Sequence, residues 1–252
     1  MDEIQPLNLK AIVSSAAEAA RLLLAFRGRW LLVILVFLIA VESLTFVPYV
    51  GFVAKLALAG LLGSQIIAMF ARSAAGGVPS VSGFAGVLSL SWPQQAVLMA
   101  SALGPFAVGL AFLLATSQSW SSIEFFVGNV FHAKPPSPEN FFAFKTVMYV
   151  AAAPLDFIPA AVVLLGLGGW SAASKGMAVA WRNWFALLIG LAISVSSEWV
   201  AGALPRLVPG VTGLVLSVVF LFVFLGWSFA FLYTLSARAY GIAPAPAVAR
   251  GT

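Results

Sequence analysis

Four ionisable residues, Glu42, Lys55, Asp156 and Glu198, lie within long apolar stretches of the chain. In such a setting a charged side chain is costly, turns inward and pairs with another group, and it marks ion, proton or substrate sites. Glu42 lies on the first arm of an apolar hairpin, residues 30–72, and Lys55 on the second, with the turn at Pro48-Tyr49-Val50-Gly51. Glu42 lies six residues before Pro48 and Lys55 four residues after Gly51. At 1.5 Å per residue the two therefore sit ~9 and ~6 Å from the turn. Those depths match, so the spacing offers a cross-hairpin ion pair, structural or functional. Lys55, Ala59 and Gly63 share one helix face, and small residues are where membrane helices pack. That face points Lys55 inward, against the alternative that it snorkels to the surface.

Asp156 stands in AAAPLDFIPAA, where an ionised carboxylate costs ~3 kcal/mol to insert. Pro154 and Pro159 free backbone carbonyls on either side, and broken helices inside membranes form binding sites. The competing assignments make Asp156 the cap of a helix beginning near Pro159, or a protonated, neutral acid. Glu198 continues the face Ala186, Gly190, Ser194, a small and polar seam suited to facing other helices. With Glu42 it would give two acids from two hairpins, a candidate cation site. Beside Trp199, it could equally mark the membrane interface.

Other chemistries find little to stand on. The chain has no cysteine and a single histidine, His132, in a polar loop, so neither thiolate nor histidine metal clusters are expected. No Walker or GxGxxG motif occurs. The reading is therefore of no enzyme, no cofactor and no metal. Without aromatic–basic alternation, no nucleic-acid partner is expected either.

The elements that must position these residues follow from composition. Of 252 residues 62% are hydrophobic and 8% charged, against about 25% charged in soluble domains. Mean hydropathy is +1.05. These values predict an all-α integral membrane protein, one polytopic domain over 1–252. It would hold six transmembrane helices as three hairpins, 30–72, 94–167 and 184–235, each preceded by an amphipathic surface helix. The first surface helix, 8–27, puts Lys10, Ser14, Glu18 and Arg21 on one face and Leu9, Ile12, Val13, Ala16, Ala20, Leu23 and Leu24 on the other. Residues 80–91 and 171–183 are the second and third. Arg27, Arg29 and Trp30 mark a water boundary, and most of the eight Trp read as interfacial belt residues. Gly104-Pro105 predicts a kink, and Pro154 and Pro159 break the fourth span. Gly166, Gly168 and Gly169 end it. Ile123–Phe131 reads as surface, and the Ala/Pro-rich tail from Tyr240 as poorly ordered.

The three Trp-led hairpins suggest an internal repeat, with Glu42 and Glu198 in related positions. A hairpin, Arg72, then Gly77-Val78-Pro79 and a surface helix, together with the WRNW stretch Trp181–Trp184, resembles YciC-type bacterial inner-membrane proteins. That resemblance implies the architecture and no activity. Nine basic residues (Lys10, Arg21, Arg27, Arg29, Arg72, Lys175, Arg182, Arg238, Arg250) fall on one side and four (Lys55, Lys134, Lys145, Arg206) on the other. The excess places both termini in the cytoplasm of a bacterial inner membrane. The sparse chemistry, and an aromatic and aliphatic wall on the last helix (Phe220, Phe222, Phe224, Phe229, Phe231), favour a non-catalytic scaffold or accessory subunit. Its partners would be the bilayer and either another membrane protein or a second copy. The alternative is a small ion- or proton-coupled transporter or channel using the intramembrane acids.

Overall fold

The computed structural model describes residues 4–47, 50–116, 124 and 137–242. The Pro48-Tyr49 half of the first turn, nearly all of the loop holding His132 and Lys134, and the tail with Arg250 lie outside the described residues. So does the expected surface placement of 123–131, apart from Glu124.

Among the described residues there are nine α-helices and no strand. They are α1 Leu9–Ala25, α2 Arg27–Ser43, α3 Gly51–Ala74, α4 Trp92–Ala115, α5 Pro138–Ala152, α6 Ile158–Leu165, α7 Gly169–Arg182, α8 Trp184–Leu207 and α9 Val211–Ala239. Short 3₁₀ segments cover Leu44–Phe46, Val81–Ser89 and Ala153–Leu155. Six helical stretches are long and apolar enough to cross a membrane: Arg27–Phe46, Gly51–Ala74, Trp92–Ala115, Glu139–Leu165, Trp184–Leu207 and Val211–Ala239.

Local sequence sets the boundaries. Asn8 caps α1, its Oδ1 accepting the Ala11 N–H at 2.8 Å. Ser91 and Gln94 form a capping box at α4, with Pro93 in its first turn. Ser137 and Pro138 open α5 in the same manner. Gly166, at φ 66°, ends α6 in the left-handed conformation that a Cβ disfavours. Gln94 Nε2 donates to its carbonyl at 3.1 Å, so the start of α4 ties off the end of α6.

Consecutive long helices pack on each other: α2 on α3, α4 on α5, α8 on α9. Further contacts of α3 with α4, α5 with α8, and α9 with α3 close a ring of five helices, α3-α4-α5-α8-α9. The approach of α3 to α4 depends on Gly60, where a Cβ would come within 2.6 Å of the Leu98 carbonyl oxygen. Gly109 likewise admits the Phe144 ring between α4 and α5. The short α6 enters this ring, touching α3, α4 and α9, with Ile158, Ala160, Ala161 and Val162 buried. Helix α7 covers α6 from the end that carries the described termini.

Several expectations need correction. Trp30 is no belt residue: it is fully buried and stacks on Phe70 at 3.7 Å between centroids. Its neighbours at helical spacing, Val33, Ile34, Phe37 and Val41, are buried too, so the whole stripe faces inward and carries Trp30 with it. On α1, Ile12, Ser15 and Ala19 are buried against α9, whereas Leu9, Val13 and Leu24 stay exposed. The seam is polar as well as apolar: Thr234 Oγ1 donates to Ser15 O at 3.0 Å, Trp227 Nε1 to Ala16 O at 3.3 Å, and Arg238 pairs with Glu18 at 2.9 Å. The exposed wall of α9 is aliphatic, including Val211, Leu214, Val215, Val218 and Val219. Its phenylalanines are partly or fully buried; Phe220 stacks on Phe224 at 6.0 Å and Phe231 on Trp227 at 5.0 Å. The segment preceding α4 is a 3₁₀ run, not an α-helix.

Candidate functional site

The ring of helices is filled by α6 over part of its length only. Beyond the start of α6 lies a cavity of about 610 Å³ between α3, α4 and α5, a volume typical of ligand sites. The break between α5 and α6 borders it. Pro154 and Pro159 interrupt the backbone ladder there: the chain passes from α5 through the 3₁₀ turn Ala153–Leu155 to Asp156 and Phe157, then resumes. The Phe157 carbonyl is secured from the far side, since Tyr240 Oη donates to it at 2.8 Å. Burial raises the Tyr240 pKa above its ordinary value, so the phenol remains a donor.

Asp156 lies deep in the bundle, yet its side chain is exposed, and the space it meets is that cavity. It also borders a second cavity of about 210 Å³ between α8 and α9, lined by Ala186, Gly190, Ser194 and Ser228 among others. Gly190 and Ser194 of the α8 seam therefore face space beside Asp156, while Ala186 is packed in the core. No side chain among the described residues hydrogen-bonds or ion-pairs with the Asp156 carboxylate. It does not cap α6, whose first turn has no side-chain cap.

The other three residues are placed differently. Lys55 Nζ meets Glu42 Oε2 at 2.6 Å, the pair that the hairpin depths suggest. The lysine side chain is 19% exposed and lines the large cavity, while that of Glu42 is 54% exposed. Glu198 does not join Glu42 in a two-acid site. Lys145 Nζ reaches its Oε2 at 2.8 Å and Tyr149 Oη donates to its Oε1 at 2.8 Å. Each acid thus has its own lysine, and a carboxylate already satisfied this way has little left for a cation.

Lys145 and Tyr149 both line the large cavity and were not singled out from sequence. Their i, i+4 spacing on α5 places them on one face, a signal available in the sequence. Asn183 was also missed. It is the single residue between α7 and α8, 3% exposed, and its Oδ1 accepts Leu7 N–H at 2.6 Å. Phe26 joins α1 to α2 with nearly the same backbone angles, φ −129° and ψ 36° against −116° and 32°.

Comparison of the chain with protein-family models, curated proteins and solved structures returned no match.

Proposed function

We propose that this polytopic membrane protein is a small transporter whose substrate or coupling ion binds at Asp156. The single observation that carries the reading is an unpaired carboxylate at a helix break, shared by two cavities. A carboxylate kept without a partner inside an apolar bundle opposes folding, and such residues mark binding and translocation sites. Three hairpins, a bacterial inner-membrane location and cytoplasmic termini belong to the same proposal. In support, Gln5 N–H donates to Ala239 O at 2.9 Å, so the described N-terminal segment and the last helix meet at one end. Arg72, Arg182 and Arg238 fall in the last turns of helices running toward that end. No bond-making chemistry is proposed for the chain itself.

The scaffold reading draws on the aliphatic surface of α9, which suits lipid and a partner helix equally and so decides nothing by itself. The test uses the absence of native cysteine. Ser101→Cys reports on the large cavity and Ser194→Cys on the small one. In oriented vesicles a transporter exposes both to a membrane-impermeant thiol reagent, from opposite sides. If both cysteines resist the reagent from either side under all gradients, the transporter assignment is wrong.

A further inference from the structure

We infer that the cavity takes a lipophilic organic monocation, with its charge at Asp156 and its apolar body against the walls between α3, α4 and α5. This rests on the transporter reading and specifies its substrate class. Charge decides the sign. Three charged side chains line the cavity: Lys55, Lys145 and Asp156. Glu42 neutralises Lys55 at 2.6 Å and Glu198 neutralises Lys145 at 2.8 Å. An anion would have to displace one of these contacts, whereas a cation at Asp156 displaces nothing among the described residues.

Wall chemistry decides the kind of cation. A hard inorganic ion needs about six oxygen ligands. In the large cavity Asp156 is accompanied by Ala152, Leu155, Pro159 and Leu232, which supply no side-chain oxygen, and in the smaller one the Ser228 hydroxyl donates to Phe224 O, leaving Ser194 far short of such a shell. The Tyr149 hydroxyl is committed to Glu198 and that of Ser101 donates to Leu98 O. Among the described residues no three His, Cys, Asp or Glu side chains converge on a metal position. Phe52 and Phe141 line the same space with Lys55 and Lys145 over their rings at 5.6 and 4.9 Å, and Phe144 adds a further aromatic ring to the wall, a lining that suits an apolar cation better than a strongly hydrated one. The volume of about 610 Å³ far exceeds what one inorganic ion needs and accommodates an organic molecule.

The probe is tetraphenylphosphonium, a compact apolar monocation, with binding measured by scintillation proximity on the purified full chain. Saturable binding is expected. In Asp156→Asn the dissociation constant should rise about tenfold or more, the effect of removing a charged partner from an apolar site. Neutral triphenylphosphine oxide should compete poorly with the native protein, which tests charge selection without any variant. The probe should also protect Ser101→Cys from the thiol reagent. Absence of saturable binding while Ser101→Cys remains water-accessible would overturn the substrate class and leave the transporter reading intact. Resistance of both Ser101→Cys and Ser194→Cys to the reagent from either side would instead remove the reading beneath it. Stronger competition by tetraphenylborate than by the neutral analogue would reverse the sign of the site and overturn the inference.

Discussion

Glu198 and Asp156 are both acids in apolar spans, and the protein treats them in opposite ways. Glu198 is held by Lys145 and Tyr149, each at 2.8 Å, with both side chains of the ion pair about one-third exposed. Asp156 is held by nothing among the described residues and faces two cavities. Glu42 stands with Glu198, though its pair with Lys55 is looser, its own side chain being 54% exposed. A paired acid fixes the position of two helices. An unpaired one keeps its charge available, at the expense of stability. Under the proposed reading the first two are architectural and the third binds a ligand, a division that can be broken by measuring what each contributes to the fold.

The largest expected effect is at the tighter pair. Lys145→Met leaves Glu198 in a half-covered site with only Tyr149 as donor. The loss should be about 2 kcal/mol, below that of a fully buried pair because solvent still reaches both groups. Lys145→Met with Glu198→Gln should recover part of it, since the double variant leaves no unpaired charge. Melting in mild detergent reads both. Tyr149→Phe removes a hydrogen bond to a charged acceptor and should cost about 1.5 kcal/mol. If the double variant melts lower than either single variant, the pair has been misjudged and Glu198 is needed for itself.

The two pairs also differ in how far the sequence reveals them. Glu42 and Lys55 lie on successive helices, α2 and α3, so a fixed rise per residue from the short segment between them sets their depths, and their meeting follows. Lys145 and Glu198 are 53 residues apart on helices whose contact depends on the closed ring, and nothing local announces it. The six apolar stretches and the break at Asp156 are legible for the same reason as the first pair: periodicity, length and proline act locally. Trp30 shows the limit of a residue-type preference. Tryptophan favours interfaces, but the buried stripe Val33, Ile34, Phe37, Val41 overrides that preference. The cavities could not be read at all. An empty volume arises where packed helices fail to meet, which is a property of the assembled ring and of no single segment.

A smaller effect is expected at the first hairpin. Glu42 is more than half exposed, so Lys55→Met should lower stability by less than about 1 kcal/mol, and by less still in high salt, where exposed charges are screened. A melting loss as large as that of Lys145→Met would show that the membrane shields this pair. The ranking of the two would then fail, although both would remain structural.

The smallest effect on the fold, and the one that separates the classes, belongs to Asp156. Its carboxylate contributes no contact among the described residues to be lost. Asp156→Asn removes a charge from an apolar bundle while nearly keeping the shape, and should leave the melting temperature unchanged or raise it. Asp156→Leu should do at least as well, because the cavities beside it leave room for the branched side chain. If Asp156 lowers stability in this way, a ligand that supplies the missing charge when it binds explains its place at the helix break. The added ligand should accordingly raise the melting temperature of the native protein and not that of Asp156→Asn. A destabilisation by Asp156→Asn equal to that of Lys145→Met would contradict this division. It would mean that Asp156 already holds a structural partner, and the distinction between the paired acids and the open one would disappear.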